Sequence, residues 1–189
     1  NYIYPKDFAE LDGIKSGEKG SLFEGAHRPG HFDGVLTVVN RLFDLVNPTS
    51  VVFGKKDAQQ LYLVKEFLAN KSNNLKIIEA EIIRDEYGLA MSSRNRLLSK
   101  SGINIARNIF KILENTKEHF IQNQDIQQSE DFGKKLFDEN AIEYDYLNFV
   151  DPKYFETPDS NREKLLLITA AYVQGIRLID NMEVIQWRT

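Results

Sequence analysis

Five consecutive residues, Ser92, Ser93, Arg94, Asn95 and Arg96, set hydroxyl, amide and guanidinium donors side by side with few acceptors among them. Phosphate oxygens want such a set, because a fork of charged N–H groups and neighbouring hydroxyls can donate to several of them at once. Serine and asparagine also make ordinary loops and helix caps, so residue type alone leaves an anion site and a solvated turn equally open. A second cluster is "FGKKDAQQ", Phe53 to Gln60, where a short apolar run ends and a helical pattern begins. Ligands of open α/β sheets collect outside the carboxyl ends of the strands, against helix N-termini. Gly54 there lets a backbone and a ligand approach closely, Lys56 can meet a phosphate, Gln60 can exchange hydrogen bonds with a hydroxy acid, and Asp57 can accept from a ribose diol. Each has a plainer use: Asp57 as a helix cap, Lys56 as a solvated cation. A third cluster, "LFEGAHRPGHFDGV", reads as a tightly turned loop holding Arg28 and His31 ahead of a helix. His27 and His31 lack a third ligand at metal spacing, so His31 reads as a loop-locking hydrogen bonder and Arg28 as the better candidate for substrate contact.

These residues need elements to carry them. "VLTVVNRLFDLV", Val35 to Val46, has a helical apolar stripe that stops before Asn47-Pro48. "SVVFG" reads as a short buried strand, residues 57–70 as a helix, "KSNN" as a polar turn, and "LKIIEAEIIR" as a second strand. Strand, helix and strand at this spacing predict a right-handed crossover with parallel strands. On the helix, Lys56, Gln60, Val64 and Phe67 fall on one stripe, so the two polar residues should face the crevice. Beyond residue 100 the pattern changes to two amphipathic helices, Ile103 to Phe120 and Ser129 to Asn140. Three strand-like runs follow, "IEYDYLNFV", "EKLLLITAAYVQ" and "IRLIDNMEVIQW", the last two joined at Gln174-Gly175 as a hairpin. The expected organisation is an α/β domain over residues 1–86, a linker bearing the serine-arginine cluster over 87–99, and an α+β domain over 100–189, with the cluster at a junction of the kind pockets favour.

Composition limits the possible functions. With 189 residues and 42% hydrophobic content the chain can bury a sizeable core, whether as one large domain or two small ones. Twenty-four Lys and Arg against twenty-eight Asp and Glu give a net charge of -4, a poor footing for nucleic acid. No cysteine is present and histidines number three, which excludes thiolate chemistry and disulfides and argues against a histidine-rich metal site. No run has the length of a membrane span and no signal-peptide pattern opens the chain, so the expected location is the cytoplasm. The opening "NYIYP" reads like the interior of a longer protein.

Three stretches in one order, "EGAHRPGHFDGVLTVV", "FGKKDAQQL" and "GLAMSSRN", followed by "RLIDN", resemble the pantothenate synthetase family, the pantoate:β-alanine ligases of the adenylate-forming nucleotidyltransferase superfamily. The resemblance implies part of a Rossmann-like parallel-sheet nucleotidyltransferase domain followed by a smaller α+β domain with an antiparallel sheet. It implies ATP, pantoate and β-alanine as substrates, Mg2+ carried by the ATP phosphates, no nucleic-acid or membrane partner, and a homodimer for the full-length enzyme. Carried to matching positions, it implies that Gly54, Lys55, Lys56 and Asp57 bind ATP, with Lys56 on phosphate and Asp57 on ribose, and that Gln60 holds pantoate. Ile83, closing a strand, would meet adenine through its backbone. Met91, Ser92, Ser93 and Arg94 would form a mobile loop that closes on the phosphates, where negative charge must be stabilised as pyrophosphate departs. Lys56, Ser92, Ser93 and Arg94 are thereby the expected catalytic residues. The family's H-x-G-H signature, the strands upstream and a second pantoate-binding Gln have no counterpart here. The chain thus reads as the C-terminal two-thirds of such an enzyme, with a different superfamily nucleotidyltransferase or a non-catalytic nucleotide-binding module as the alternatives.

Overall fold

The computed structural model describes residues 13–71, 75–158 and 163–185. The expectations for "NYIYP", for residues 72–74 of the polar turn and for residues 186–187 of the last strand lie outside them. The chain resolves into two compact units, Asn1–Ala80 and Glu81–Thr189.

In the first unit a 3-10 turn, Glu18–Ser21, leads to α1 (Glu24–His27), α2 (His31–Val46), β1 (Ser50–Gly54), α3 (Ala58–Ala69) and β2 (Lys76–Ala80). β1 and β2 pair in parallel from Ser50↔Lys76 to Gly54↔Ala80, with α3 as the crossover that a parallel pair requires. The helix expected from Val35 begins four residues earlier, at His31. Gly30 takes a left-handed φ of 76° at its N-cap, and Phe32 and Leu36, one helical repeat apart, both enter the core. Its C-terminus is where the Asn-Pro breaker puts it, Asn47 being left-handed with its N–H on the Phe43 carbonyl. Phe32 and Leu36 pack with Leu63, Val64 and Leu68 of α3, and Phe53 and Ile77 of the sheet close the cluster.

Two strand expectations are corrected. β1 is not buried throughout: Val52 is 65% exposed and its neighbour strand's Ile78 42%. Only two strands pair in this sheet among the described residues, so the apolar character that suits a sheet covered on both faces finds cover on one. β2 ends at Ala80 rather than Arg84, and Ile83 therefore closes no strand. Arg84 pairs instead with Ala90 in an isolated antiparallel bridge.

In the second unit α4 (Lys100–Asn123) and α5 (Ile126–Glu139) cover an antiparallel sheet ordered β3 (Glu143–Val150), β4 (Lys164–Val173), β5 (Ile176–Ile185). Ser99 caps α4 by accepting the Gly102 N–H, and Asp125 caps α5 by accepting the Gln128 N–H, so each helix starts three residues before the position expected to open it. Gln174 and Gly175 turn with φ of 53° and 74°, the paired positive angles of a tight hairpin. Phe120, Phe137, Leu147, Leu165 and Leu167 form the fully buried centre.

Candidate functional site

The Gly-Lys-Lys-Asp turn lies where the parallel sheet stops. The Lys55 N–H continues the ladder onto the Ala80 carbonyl at 2.9 Å, which fixes the turn against the strand end. A methyl added at Gly54 would meet nothing within 4 Å. Asp57 occupies the N-cap of α3, yet its carboxylate makes no capping hydrogen bond. It stays solvent-accessible, with Lys56 Nζ 3.6 Å from Oδ1. The capping use open at the sequence level is therefore not the one adopted, and the carboxylate keeps its acceptors.

The glutamine pair divides differently from expectation. Gln59 is 5% exposed; its Nε2 donates to the Lys19 and Leu22 carbonyls at 2.7 and 2.9 Å, and its Oε1 accepts the Glu24 N–H at 3.1 Å. Gln60 is half-buried. Gln59 was missed because a helical glutamine reads as a surface residue, although it stands four positions before the buried Leu63 and so belongs on that face.

The Gln59 clamp carries a second relay. Glu24, also buried, accepts from Arg28 Nη1 at 3.1 Å, and the same nitrogen lies 2.9 Å from His31 Nε2. Arginine has no acceptor, so Nε2 accepts and a neutral His31 carries its proton on Nδ1. Arg28 and His31 line a cleft of about 730 Å³ with Val35, Val38 and Val39. They are braced and cleft-facing at once. His31 is the first residue of α2, where the sequence placed it in the loop. Among the described residues no group of three His, Asp or Glu side chains gathers as metal ligands. An adjoining cleft of about 450 Å³ is bordered by Ser16, Gly20, Gly25 and Asp33. Hydrogen bonds from the Ser16 hydroxyl and N–H, at 2.7 and 2.8 Å, hold the Asp33 carboxyl below the usual carboxylate range.

The serine-arginine cluster belongs to the second unit. Ser93–Leu97 forms a 3-10 turn capped by Ser92, whose Oγ accepts the Arg94 N–H at 3.2 Å. Asn95 donates to the Ala90 carbonyl at 3.0 Å and Arg94 Nη1 to the Arg177 carbonyl at 2.8 Å. The Met91 N–H reaches the Ile83 carbonyl at 2.8 Å, while both side chains are exposed. Lys56 and Gln60 thus fall in one unit, and Ile83, Met91, Ser92, Ser93 and Arg94 in the other.

A parallel βαβ sheet ending in a lysine-rich turn, followed by an antiparallel α+β unit that bears a donor-rich loop, defines a nucleotidyltransferase-type fold. The profile of the family Pantoate-beta-alanine ligase matches residues 1–183. Pantothenate synthetase of Cytophaga hutchinsonii is 39% identical over 176 residues, 91% of this chain and 62% of its own length; that of Ruthia magnifica is 37% identical, with 95% and 64% covered. The crystal structure of pantothenate synthetase from Thermus thermophilus superposes with a TM-score of 0.89 at 34% identity, covering 97% of this chain and 66% of that one. The pantoate-beta-alanine ligase of Francisella tularensis, complexed with beta-gamma ATP and beta-alanine, superposes at 0.72 with 30% identity, covering 95% and 60%. The chain belongs to the pantoate-β-alanine ligase family and spans 62% and 64% of the length of the two curated relatives.

Proposed function

We propose that this chain serves the ATP-dependent condensation of pantoate with β-alanine, forming a carbon-nitrogen bond. A pantoate carboxylate oxygen attacks the α-phosphorus of ATP, the bond to the bridging oxygen breaks, and pyrophosphate leaves with the electron pair. The β-alanine amine then attacks the acyl carbon of the adenylate, AMP leaves, and the amine's surplus proton is lost.

The observation that carries this reading is the uncommitted chemistry at the start of α3. Asp57 makes no capping bond, and the Gln60 amide makes no hydrogen bond among the described residues, beside a Gln59 whose amide is fully engaged. A half-buried amide without a partner, as at Gln60, is costly unless a ligand completes it. In this reading Asp57 accepts from the ribose, Lys56 and Lys55 meet phosphate, Gly54 admits the nucleotide against the backbone, and Gln60 holds pantoate. The cleft lined by Arg28 and His31 suits the same substrate: Val35, Val38 and Val39 match a branched carbon skeleton, and Arg28 a carboxylate.

Ile83 offers adenine a backbone N–H, its carbonyl already accepting from Met91, and the exposed Met91 side chain offers an apolar surface. Ser92, Ser93 and Arg94 donate to phosphate oxygens, and what they add is largest where charge grows as pyrophosphate departs. Mg2+ would enter on the ATP phosphates and offset their negative charge, and such a cation needs no dedicated cage of protein carboxylates. The family resemblance supports a homodimer of the full-length enzyme. No helix of the described residues is long and apolar enough to cross a membrane; the family resemblance supports a cytoplasmic biosynthetic ligase.

Exchange of labelled pyrophosphate into ATP by the full-length enzyme that contains this chain tests the proposal. Exchange that requires pantoate and proceeds without β-alanine is the expected result. Exchange indifferent to pantoate, or its absence, would overturn it.

A further inference from the structure

The motif Arg177 to Asn181, "RLIDN", takes no part in the proposed chemistry, yet it lies on the strand that holds the donor loop. β5 is an outer strand of its sheet among the described residues. Positions 177 and 181 share parity, so their carbonyls point to the same edge. Each is occupied by a guanidinium: Arg177 O by Arg94 Nη1 at 2.8 Å, and Asn181 O by Arg84 Nη2 at 2.9 Å. Asp180, 5% exposed, grips Arg84 in a fork, with Nη1 to Oδ2 at 2.6 Å and Nη2 to Oδ1 at 2.9 Å. The Asn181 N–H, 2.7 Å from Oδ1, holds that carboxylate in place.

The two arginines are used differently. Arg84 also donates to the Gly88 carbonyl at 2.9 Å and lies over the Phe110 ring, 4.6 Å from its centroid. Its Nη donors are thereby saturated, which leaves it nothing to offer a phosphate but Nε–H. Arg94 commits one donor to β5 and keeps the rest of its fork. The segment between them is closed on itself. Arg84 and Ala90 bridge, the Asp85 N–H reaches the Leu89 carbonyl at 2.9 Å, and Asp85 Oδ1 accepts the Tyr87 and Leu89 N–H groups at 2.9 Å each. Arg107 binds the other carboxylate oxygen at 3.0 Å.

We propose that the edge of β5 from Arg177 to Asn181 is the dock that positions the phosphate-donor loop, with Arg84 and Asp180 as positioning residues. The proposal rests on the reading of Ser92 to Arg94 as phosphate donors. A rigid turn anchored by a saturated ion pair delivers Met91 and the residues after it to a fixed place, and the Arg177 carbonyl orients the Arg94 guanidinium, which keeps further donors. Two anchors ten residues apart in the chain hold the loop in register with a single strand.

Arg84→Lys keeps the charge but loses the fork, and Asp180→Asn keeps the shape but loses the charge. In the full chain each should speed amide hydrogen exchange across residues 84–97 while leaving the buried amides of α4 unchanged. In pantoate-dependent pyrophosphate exchange by the full-length enzyme each should lower kcat about a hundredfold, the scale of an ångström of misplacement, with KM for pantoate near its original value. Unchanged exchange in the loop, an unchanged kcat, or faster exchange spread uniformly over the second unit would overturn the dock. So would failure of both variants to fold, which would make the pair a general stability contact. Arg94→Ala separates the two readings. Full activity in that variant would remove the donor reading and leave hydrogen exchange to decide the dock. An inactive Arg94→Ala beside undisturbed Arg84→Lys and Asp180→Asn would remove the dock alone.

Discussion

Gln59 and Gln60 are adjacent on α3, and only Gln60 has its amide uncommitted. Gln59 joins α3 to the Lys19, Leu22 and Glu24 backbone, and through Glu24 it supports Arg28 and His31. Gln59→Leu should destabilise the protein by about 1–3 kcal/mol for each buried backbone group left unpaired, with losses that do not simply add. Gln60→Leu should leave the urea midpoint near its original value and weaken pantoate, because Val64 on the same stripe is already buried and apolar. Urea titration and calorimetry with pantoate and ATP separate the two; equal losses for both ligands in Gln60→Leu would assign it to packing.

Arg94→Ala should cost roughly 3 to 4 kcal/mol at the transition state for adenylate formation, the usual scale for one well-placed donor. Single-turnover kinetics should show a slower chemical step with ATP affinity changed less. A raised KM with kcat intact would place Arg94 in ground-state binding alone.

Two glycines should respond in opposite ways to alanine. Gly88 has a φ of 92°, and a Cβ there would lie 2.0 Å from the Phe110 ring, itself stacked under Arg84. Gly88→Ala should therefore lose about 2 kcal/mol or more from backbone strain and overpacking together, read as a lower melting temperature. Gly54→Ala meets open space. It should keep the melting temperature and, if the proposed nucleotide site is right, weaken ATP, because the methyl would enter the space that proposal gives to the nucleotide. A lowered melting temperature with unchanged ATP affinity would reverse that assignment.

Glu130 gives a pH signature. Burial pushes its carboxyl above the ordinary value, against the opposing hydrogen bond from the Phe149 N–H at 2.8 Å and the nearby Lys134. A carboxyl raised in the folded state binds its proton more tightly there, so its contribution to stability is complete below the unfolded pKa and is lost as pH rises through the folded one. Glu130→Gln should flatten the decline of stability that begins just above the ordinary glutamate range. Denaturant midpoints measured from pH 4 to 7 check this, and an identical slope in the variant would show that Glu130 does not titrate in that window.

Much of the architecture was legible from local pattern. The α2 stripe, the βαβ crossover, the two later helices and the Gln174-Gly175 hairpin follow from periodicity and turn chemistry, which depend on neighbours within a few residues. The residues proposed as the donor loop and the Gly-Lys-Lys-Asp turn stood out for the same reason: their side-chain chemistry lies in consecutive residues. Helix starts were displaced toward the N-terminus at His31, Lys100 and Ile126, because a capping side chain or a left-handed residue sets the first turn.

What lies far apart in the chain was decided only by the tertiary structure. Nothing local distinguishes Gln59 from Gln60, or reveals that Arg84 takes Asp180 as its partner across 96 residues. β-branched residues through Ile83 favour a strand, yet the pairing stops at Ala80, because a strand persists only where a neighbour offers a ladder. By itself the sequence determined which backbone forms are locally cheap and which side chains could donate to an anion. The fold then determined which of those donors are consumed by buried carbonyls and carboxylates, since an unpaired polar group in the interior costs more than the chain's local preferences can supply.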